Sequence, residues 1–464
     1  MWKLLPGQFS TALIAVTFWT WVCEASAYRN EKADLPSDLS GYVGLNDQQA
    51  AIIRGTDFSC PLSALKQTTE PSSIHKLKPS DIKVIAAMGD SITAANGAGG
   101  LTISDVKNEY RGLSFTIGGD GFLDDMVTLP NIFKQYNPNL IGYSIGVGPQ
   151  TEVTTSMLNV AVPGAKSYNM LSQAIELVRR INSFAPSVVN PELDWKLISI
   201  FIGCNNLCQG CVNSTLWNPG IYIADLEVAL DYLYSNLNRT FVNIVNVLDV
   251  SALRETHSNP YCYLIHQYEC PCVTNQYSDL FEMLTSRAVE IQNLTRELAR
   301  SGQYDSRDDF TVVVQPALEN IALPMVAVSN ATNVSQEPDL SYLAPDCFHF
   351  GRKGHAVAAR GVWNNLITRE GEKQSPTTQL DQPLKCPDPN CPYLRTWKNS
   401  LLHCGAEPVA LPPSDARKVE IERIRIPKST LSSTQLKEFR LMAAVKSGPS
   451  QNYSYTHQHT LMIG

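Results

Sequence analysis

Short apolar runs rich in valine and isoleucine alternate along this chain with longer amphipathic stretches. Four such runs cover residues 84–88, 197–202, 241–250 and 310–314, and runs of this kind are typical of strands buried on both faces of a parallel sheet. The stretches between and after them carry apolar residues at helical spacing. These positions are Leu171, Ile175, Val178 and Ile181; Ile223, Leu226, Leu230, Leu233 and Leu237; and Ala359, Val362, Trp363 and Leu366. The alternation predicts an α/β fold in which helices cover a mostly parallel sheet.

The first residues show a different pattern. Lys3 precedes an apolar run at 11–23, and the small residues Ala25 and Ala27 follow it two positions apart. Residues 1–27 are therefore expected to be a signal peptide cleaved after Ala27, and the protein is expected to be secreted. The run is shorter than the roughly 20 apolar residues that a bilayer requires, and no later stretch is long and apolar enough, so we expect no stable membrane span.

The rest of the chain divides by composition. Residues 28–80 are polar and are predicted to form a lead-in segment, followed by an α/β domain at 81–372 that carries the candidate chemistry. Residues 373–413 are rich in proline and cysteine and are predicted to be irregular. Residues 414–464 are polar without apolar periodicity and are predicted to be disordered.

Composition excludes one class of partner. Of the 464 residues, 44% are hydrophobic, which is ample for a large core. The formal net charge of −7 argues against a nucleic-acid partner, because neutralising phosphates requires clustered lysine and arginine. Charge and composition leave the oligomeric state open.

The candidate chemistry begins at Ser91, which follows the first apolar run in a Gly-Asp-Ser turn. Far downstream the chain carries Asp346 and His349, three positions apart. A serine hydroxyl is a weak nucleophile unless an imidazole takes its proton, and a carboxylate must hold that imidazole in the correct tautomer. One helical turn or a tight loop can point the Asp and His side chains the same way. These residues predict a serine ester hydrolase.

Other residues offer competing interpretations. Ser144 lies in a Gly-x-Ser-x-Gly pattern, but such an elbow must open a helix, and Val147-Gly148-Pro149 follows it at once. His355 together with Asp346 and His349 has the residue types of a metal site, yet no metal-binding motif accompanies them, so no metal is expected. The remaining candidates are predicted to be ordinary packing or surface histidines: His75, His257, His266 and His403.

Cysteine usage supports an oxidising compartment. Cys23 leaves with the predicted signal peptide, so 11 of the 12 cysteines remain and at least one is unpaired within the chain. Cys204 is the predicted free thiol because it lies at a strand end beside the candidate site, and Cys208 and Cys211 favour disulfides over zinc or redox chemistry. The other disulfide candidates are Cys60, Cys262, Cys270, Cys272, Cys347, Cys386, Cys391 and Cys404. Predicted glycosylation sites are Asn213, Asn238, Asn293, Asn330, Asn333 and Asn452.

Four ordered blocks resemble those of the GDSL, or SGNH, hydrolase family. They are Gly89-Asp90-Ser91, Gly164 within 159–165, Gly203-Cys204-Asn205, and Asp346-Cys347-Phe348-His349. Further motifs are similar to the phospholipase B1 branch, among them Tyr110-Arg111-Gly112-Leu113-Ser114-Phe115 and Pro345-Asp346-Cys347-Phe348-His349. The likeness covers roughly residues 60–400. It implies a three-layer α/β/α, flavodoxin-like SGNH-hydrolase fold with a mostly parallel central sheet, and it makes 81–372 the catalytic domain.

The resemblance implies a role for each site residue. Ser91 attacks the ester carbonyl, His349 takes its proton and later gives it to the leaving alcohol, and Asp346 orients His349. The oxyanion hole consists of the backbone N–H groups of Ser91 and Gly164 and the side-chain amide of Asn205. Members of this branch cleave acyl esters of glycerophospholipids and lysophospholipids without a metal or other cofactor. The implied partners are such a phospholipid or lysophospholipid substrate and, transiently, a membrane or micelle surface.

One departure from the family pattern leaves alternatives open. The third block usually ends in Asp, whereas this chain has Asn206. The oxyanion residue Asn205 is kept, but a distorted loop would make the protein a catalytically impaired, lipid-binding relative. A further alternative is an esterase for smaller or carbohydrate esters, which shares the machinery and differs only in its pocket.

Overall fold

The computed structural model describes residues 58–60, 70–274, 278–330, 333–375 and 383–400. The predicted signal peptide and the predicted disordered tail lie outside these residues. So do most of the predicted lead-in, part of the proline- and cysteine-rich segment, and His403.

The four predicted apolar runs form a parallel sheet. Its strands, in spatial order, are β1 (Ile82–Gly89), β2 (Trp195–Phe201), β3 (Thr240–Val245) and β4 (Phe310–Gln315). Every side chain in these strands is buried except that of Lys83, which is half-buried. Burial on both faces explains why the runs are continuously apolar rather than alternating.

The third strand is shorter than its apolar run. It ends at Val245, and the side chain of Asn246 then donates to the backbone oxygen of Gln292 at 3.0 Å. A 3-10 helix (Val250–Ser258) follows, capped by Asp249. The prediction of a strand over 241–250 was therefore too long: the N–H of Asn246 still donates to the oxygen of Gln315 in β4 at 3.0 Å, but the apolar residues that follow are buried outside any strand.

A further segment extends the sheet beyond β1. The backbone N–H of Val160 donates to the oxygen of Ala87 at 3.0 Å, and parallel bridges join Val84 to Ile141 and Ala87 to Asn159. This edge is the one opposite β2, so the winding of the chain reverses at β1. In open α/β sheets, ligands bind outside the carboxyl ends of the strands at such a reversal.

Helices flank the sheet. They are α1 (Leu129–Tyr136), α2 (Val153–Ser156), α3 (Met170–Ser183), α4 (Cys204–Gln209), α5 (Pro219–Asn236), α6 (Pro260–Glu269), α7 (Pro271–Thr274), α8 (Ser278–Arg300), α9 (Arg352–Leu366) and α10 (Trp397–Ser400). Helix α5 packs between α3 and α8, while α1 packs against α9. The predicted three-layer α/β/α fold is confirmed. Among the described helices, none combines the length and the hydropathy that a membrane crossing requires.

Local sequence explains where several helices begin. Asn218 and Asn259 accept hydrogen bonds from backbone N–H groups in the first turns of α5 and α6, and a proline follows each of them. Such caps satisfy N–H groups that have no partner inside the helix, and proline suits the first turn because it lacks an N–H. A small antiparallel hairpin, β5 (Met325–Asn330) with β6 (Asn333–Pro338), was not predicted.

Nine of the ten predicted disulfide cysteines are disulfide-bonded, and the tenth, Cys404, lies outside the described residues. The pairs among the described residues are Cys60–Cys386, Cys208–Cys270, Cys211–Cys272 and Cys262–Cys347, and Cys391 is disulfide-bonded as well. Cys208 and Cys211, which are three positions apart, thus hold α4 to the segment around α7. Cys204 is a buried free thiol, as predicted.

Candidate active site

Strand β1 delivers Ser91 to the carboxyl edge of the sheet. A Cβ atom at Gly89 would lie 2.4 Å from the backbone oxygen of Phe201, so only glycine fits at the end of this strand. The turn that follows is closed by the N–H of Ala94, which donates to the oxygen of Asp90 at 2.9 Å. The side chain of Ser91 is left at the bottom of the site, with 6% of the residue exposed.

The three predicted catalytic residues meet at this edge. Nε2 of His349 lies 2.7 Å from Oγ of Ser91, and Nδ1 lies 2.5 Å from Oδ2 of Asp346. Because a carboxylate only accepts, Nδ1 carries the hydrogen, and Nε2 of the neutral ring is free to accept the serine proton. The arrangement is that of a nucleophile, a general base and an orienting acid.

The backbone holds the acid in place. Oδ1 of Asp346 accepts hydrogen bonds from the N–H groups of Phe348 and His349, both at 3.0 Å. Cys347, which lies between Asp346 and Phe348, has a φ of 59°, in the left-handed region. This tight loop is how two residues three positions apart point toward each other.

Charge at the site favours a basic imidazole. Burial by itself lowers the pKa of His349, but the hydrogen bond and charge of Asp346, with the charges of Glu269 and Asp90, outweigh burial and raise that pKa. Burial acts on Asp346 in the opposite direction and raises its pKa. The hydrogen bond and charge of His349, with the two backbone N–H groups, outweigh burial and hold the pKa of Asp346 below its ordinary value. The pair is therefore suited to an imidazolium beside a carboxylate.

The predicted oxyanion donors lie on neighbouring elements. Gly164 comes two residues after Val162, whose N–H donates to the oxygen of Gly89 at 3.2 Å. Gly164 has a φ of 76°, and no atom lies within 4 Å of the place where its Cβ would stand. Nδ2 of Asn205 donates to the oxygen of Ala165 at 3.1 Å and keeps a second hydrogen. The structure brings these groups to the same edge as Ser91, and their oxyanion role stays a prediction.

Both polar atoms of the unusual Asn206 side chain are hydrogen-bonded. Its Oδ1 accepts the N–H of Ser167 at 3.0 Å, and its Nδ2 donates to Oγ of Ser167 at 2.9 Å. That hydroxyl in turn donates to Asp225 at 2.7 Å. An asparagine suits this position because a carboxylate there could not donate to Ser167, so the first turn of α4, which carries Asn205, is tied to Ser167 without the usual acid.

The rival residues lie elsewhere. Ser144 is completely buried, and its Oγ donates to the backbone oxygen of Arg111 at 2.8 Å rather than to a histidine. His355 stacks on Phe115 in the core, accepts that residue's N–H on Nδ1 at 3.3 Å, and has its pKa lowered to about 3 by burial. Neither residue contributes a group to the His349 pair.

Comparison with known proteins agrees with this geometry. Residues 85–362 match the model of the family described as GDSL-like lipase/acylhydrolase. The chain belongs to this family. It is accordingly a carboxylic ester hydrolase.

Curated relatives of this GDSL hydrolase are named "Phospholipase B1, membrane-associated". The mouse protein is 39% identical over 387 residues, which are 80% of this chain and 25% of that protein. The rat protein is 38% identical over 80% of this chain and 26% of its own length. The human protein is 38% identical over 71% of this chain and 22% of its own length. The chain thus spans about a quarter of the length of the relatives it matches.

This GDSL hydrolase has an apolar pocket whose lining includes residues next to the triad in the chain. Three lining residues are direct neighbours of site residues: Ile92 follows Ser91, Cys204 precedes Asn205, and Phe348 precedes His349. The rest of the lining includes Val250, Ala252, Leu253, Leu323 and Val357. Pocket shape could not be predicted from the sequence, because its lining comes from five separate parts of the chain.

Sequence reasoning missed Glu269, which belongs to the site. Its Oε2 lies 3.7 Å from Nδ1 of His349, on the side of Asp346. These three residues bring ligand-type atoms within 4.8 Å of one another. A metal would need the lone pair of Nδ1, which carries the hydrogen donated to Asp346, so the acid–base arrangement and a metal exclude each other. No local motif marks Glu269.

Arg111 is a second residue whose role emerges only in the structure. It is fully buried and donates to the backbone oxygens of Asn159 at 3.0 Å and Ala161 at 2.8 Å. These bonds hold the segment that leads to Gly164. Here the sequence did offer a signal, since Arg111 lies in one of the motifs that resemble the phospholipase B1 branch.

Proposed function

We propose that this protein is a secreted phospholipase that cleaves acyl esters of glycerophospholipids and lysophospholipids through an acyl-enzyme on Ser91. The observation that carries the substrate class is the apolar pocket lined by Ile92 and Phe348, the chain neighbours of Ser91 and His349. Burying an acyl chain is worth about 0.8 kcal/mol per methylene group, whereas an acetyl group would leave such a pocket unfilled. The name phospholipase B1 of the relatives points to the same substrates.

In the first half-reaction, Oγ of Ser91 attacks the carbonyl carbon of the ester while Nε2 of His349 takes the Oγ proton. The carbonyl π electrons move to oxygen, and this oxyanion accepts hydrogen bonds from the N–H groups of Ser91 and Gly164 and from Nδ2 of Asn205. Asp346 stays ionised and stabilises the imidazolium. The ester C–O bond then breaks, and His349 gives its proton to the departing alcohol.

In the second half-reaction, water replaces the alcohol. His349 takes a proton from the water as its oxygen attacks the acyl carbon of the acyl-enzyme, and the same oxyanion donors bind the second tetrahedral intermediate. When the bond to Oγ breaks, His349 returns the proton to Ser91. The products are a fatty acid and the regenerated enzyme, so no cofactor is consumed.

Micelles of lysophosphatidylcholine test the proposal. The purified protein is expected to release one fatty acid for each glycerophosphocholine, and Ser91→Ala is expected to lower this rate by a factor of about 10⁴ or more. A fluorophosphonate probe is expected to label the wild-type protein at Ser91. As a matched control, Ser144→Ala removes the rival serine and is expected to leave labelling at Ser91 intact.

The alternatives give different results in the same experiments. Turnover of acetyl or carbohydrate esters, with none of lysophosphatidylcholine, would replace the phospholipase by a small-ester esterase. Vesicle binding that is equal in the wild type and Ser91→Ala, without labelling or turnover, would contradict the proposal in favour of a lipid-binding relative. The ordered hydrogen bonds of Asn206 argue against this second alternative.

Secretion and glycosylation belong to the same proposal. They are supported by the predicted signal peptide and by the disulfides, which are typical of oxidising compartments. Among the predicted glycosylation sites, Asn213 and Asn293 are exposed, whereas Asn238 is half-buried and accepts a hydrogen bond from Arg307 at 2.8 Å. The remaining side chains lie outside the described part of the chain: Asn330, Asn333 and Asn452. Mass spectrometry of protein from the culture medium is expected to find Tyr28 as the first residue and glycans at Asn213 and Asn293.

A further inference from the structure

Helix α6 lies against the loop that carries Asp346 and His349. Cys262, His266 and Glu269 are four and three positions apart and therefore share one face of this helix. Each contacts the loop: Cys262 forms a disulfide with Cys347, Nε2 of His266 lies 3.1 Å from the backbone oxygen of Cys347, and Oε2 of Glu269 lies 3.7 Å from Nδ1 of His349. One helix thus contacts both the backbone of the loop, at Cys347, and its general base, His349.

The hydrogen bonds fix the protonation of His266. The oxygen of Cys347 only accepts, so Nε2 of His266 must carry a hydrogen, and Nδ1 of the neutral ring must accept. The neighbour of Nδ1 is Nε2 of His257 at 3.0 Å, which therefore donates. Burial lowers the pKa of His266 and lowers that of His257 to about 4, so both rings are neutral at neutral pH. A directed chain of donors runs from His257 through His266 into the catalytic loop.

The loop needs such support. Cys347 adopts a φ of 59°, a left-handed conformation that non-glycine residues rarely adopt unless their surroundings impose it. This conformation lets Oδ1 of Asp346 accept the N–H groups of Phe348 and His349. The disulfide and the His266 hydrogen bond both act on Cys347 itself.

We propose that His266 and Glu269 are positioning residues for the general base His349. His266 holds the loop so that the imidazole reaches Ser91, and Glu269 adds a second carboxylate charge beside Nδ1. In each half-reaction the proton moves only between Nε2 and the reacting oxygen. The hydrogen on Nδ1 stays there and remains donated to Asp346, and Glu269 stabilises the imidazolium by its charge. The inference rests on the proposed ester hydrolysis at Ser91 and deepens it.

Two substitutions at one position separate positioning from packing. His266→Gln keeps an amide N–H that can donate to the oxygen of Cys347, whereas His266→Leu has similar bulk and no donor. We expect His266→Leu to lower kcat at least 10-fold on a soluble short-chain ester, with KM within twofold of the wild type. His266→Gln is expected to restore kcat to within about threefold. The rate of fluorophosphonate labelling at Ser91 is expected to change in parallel.

Glu269 is tested by the pH profile, which a merely structural role would not move. The charged and titratable groups that face His349 are Asp346, Glu269, Asp90 and His355. Burial raises the pKa of Glu269, and the charge of His349 opposes this, so the carboxylate is charged above that raised pKa. Removing this charge in Glu269→Gln is expected to shift the acidic limb of kcat/KM to lower pH and to lower kcat severalfold. Glu255→Gln, an exposed charge change on the preceding 3-10 helix, is the matched control and is expected to leave the limb in place.

The outcomes distinguish this inference from the proposed function. If the wild type neither labels nor hydrolyses any ester, the proposed function fails and this inference fails with it. If the wild type is active, equal kcat in the wild type, His266→Leu and His266→Gln overturns the role of His266 while the hydrolase stands. An acidic limb that Glu269→Gln leaves unmoved overturns the role of Glu269. Because the Glu269 side chain is 31% exposed, this variant is expected to fold even where His266→Leu does not.

Discussion

His349 acts as a base only when it is neutral, so its pKa decides the pH range of the enzyme. Asp346 and Glu269 hold that pKa above its ordinary value in spite of burial. As the pH falls through the raised pKa, the ring becomes protonated and can no longer take the Ser91 proton. The value of kcat/KM is therefore expected to be level above this pKa and to decline below it.

Asp346→Asn tests which group sets the acidic limb of the pH profile, the decline of kcat/KM at low pH. The amide removes the negative charge beside Nδ1, so the pKa of His349 is expected to fall and the acidic limb to move to lower pH. The amide also ceases to favour the correct tautomer, and kcat is expected to drop by a factor of about 10³ to 10⁴. Steady-state kinetics between pH 4 and pH 9, roughly the range in which histidines titrate, measure both effects. An unmoved limb would show that His349 is not the titrating base.

Asn205 is expected to act in the transition state and to contribute little to the fold. Asn205→Ala removes one oxyanion donor and is expected to lower kcat by about 100- to 1000-fold while KM changes little. Asn206→Ala is the matched control, since it breaks the bonds to Ser167 without touching the oxyanion. It is expected to lower the thermal unfolding midpoint more than Asn205→Ala does and kcat less. The reverse order of the two kcat values would contradict the assignment of Asn205.

At the scale of elements, the ends of the strands build the site. The turn after β1 supplies Ser91, the segment after the β1 edge pairing supplies Gly164, and α4 at the end of β2 supplies Asn205. After β3, the 3-10 helix Val250–Ser258 supplies a wall of the apolar pocket. In the proposed function, the chemistry and the recognition of the acyl chain thus come from successive elements along one edge of the sheet.

The pocket wall predicts a chain-length effect. Ala252 lines the pocket, and Ala252→Trp would fill space that a long acyl chain needs. We expect kcat/KM to fall at least about 10-fold for palmitoyl esters, which corresponds to burying roughly two methylene groups fewer, and to stay within twofold for acetyl esters. A series of p-nitrophenyl esters of increasing length measures this. Val188→Trp, a bulky change at an exposed position away from the pocket, is the control; an equal loss in both variants would argue against an acyl pocket.

At the scale of the molecule, the two flanks of the α/β fold, which are the described segments before β1 and after α9, pack on each other. The N–H of Leu394 donates to the oxygen of Leu77 at 2.8 Å, and Nδ2 of Asn399 donates to the oxygen of His75 at 2.9 Å. The Cys60–Cys386 disulfide joins the same two flanks across 326 positions. His75 is therefore a packing residue, as predicted, but it packs against the other flank rather than within its own segment.

Replacing both Cys60 and Cys386 by alanine tests what this disulfide contributes to stability. A cross-link between distant positions restricts the unfolded chain, so its loss is expected to lower the free energy of unfolding by about 2–5 kcal/mol. Urea denaturation measures this change. Because neither cysteine of this disulfide belongs to the site, kcat is expected to stay within twofold of the wild type. An unchanged unfolding midpoint would show that the flanks are held by packing alone.

Much of the fold and the chemistry could be predicted because the signals are local. Buried parallel strands produce continuous apolar runs, and β1, β2 and β4 lie within two residues of the predicted bounds. The Gly-Asp-Ser turn and the Asp-x-x-His pair each place their functional groups within a few residues. Cys204 followed from its position at a strand end. The predicted strand over 241–250 was too long because buried apolar residues after Val245 continue the sequence pattern of a strand.

Other features depend on contacts between distant segments. The hydrogen bond that joins Ser91 to His349 spans 258 positions, and the placement of Glu269 and His266 beside the base depends on how α6 packs. The pocket lining is assembled from five separate parts of the chain. Local patterns of polarity decide which segments become strands and which residues carry reactive groups. Packing in three dimensions decides which of those groups meet, because a side chain's distant neighbours leave no periodic trace in its own segment.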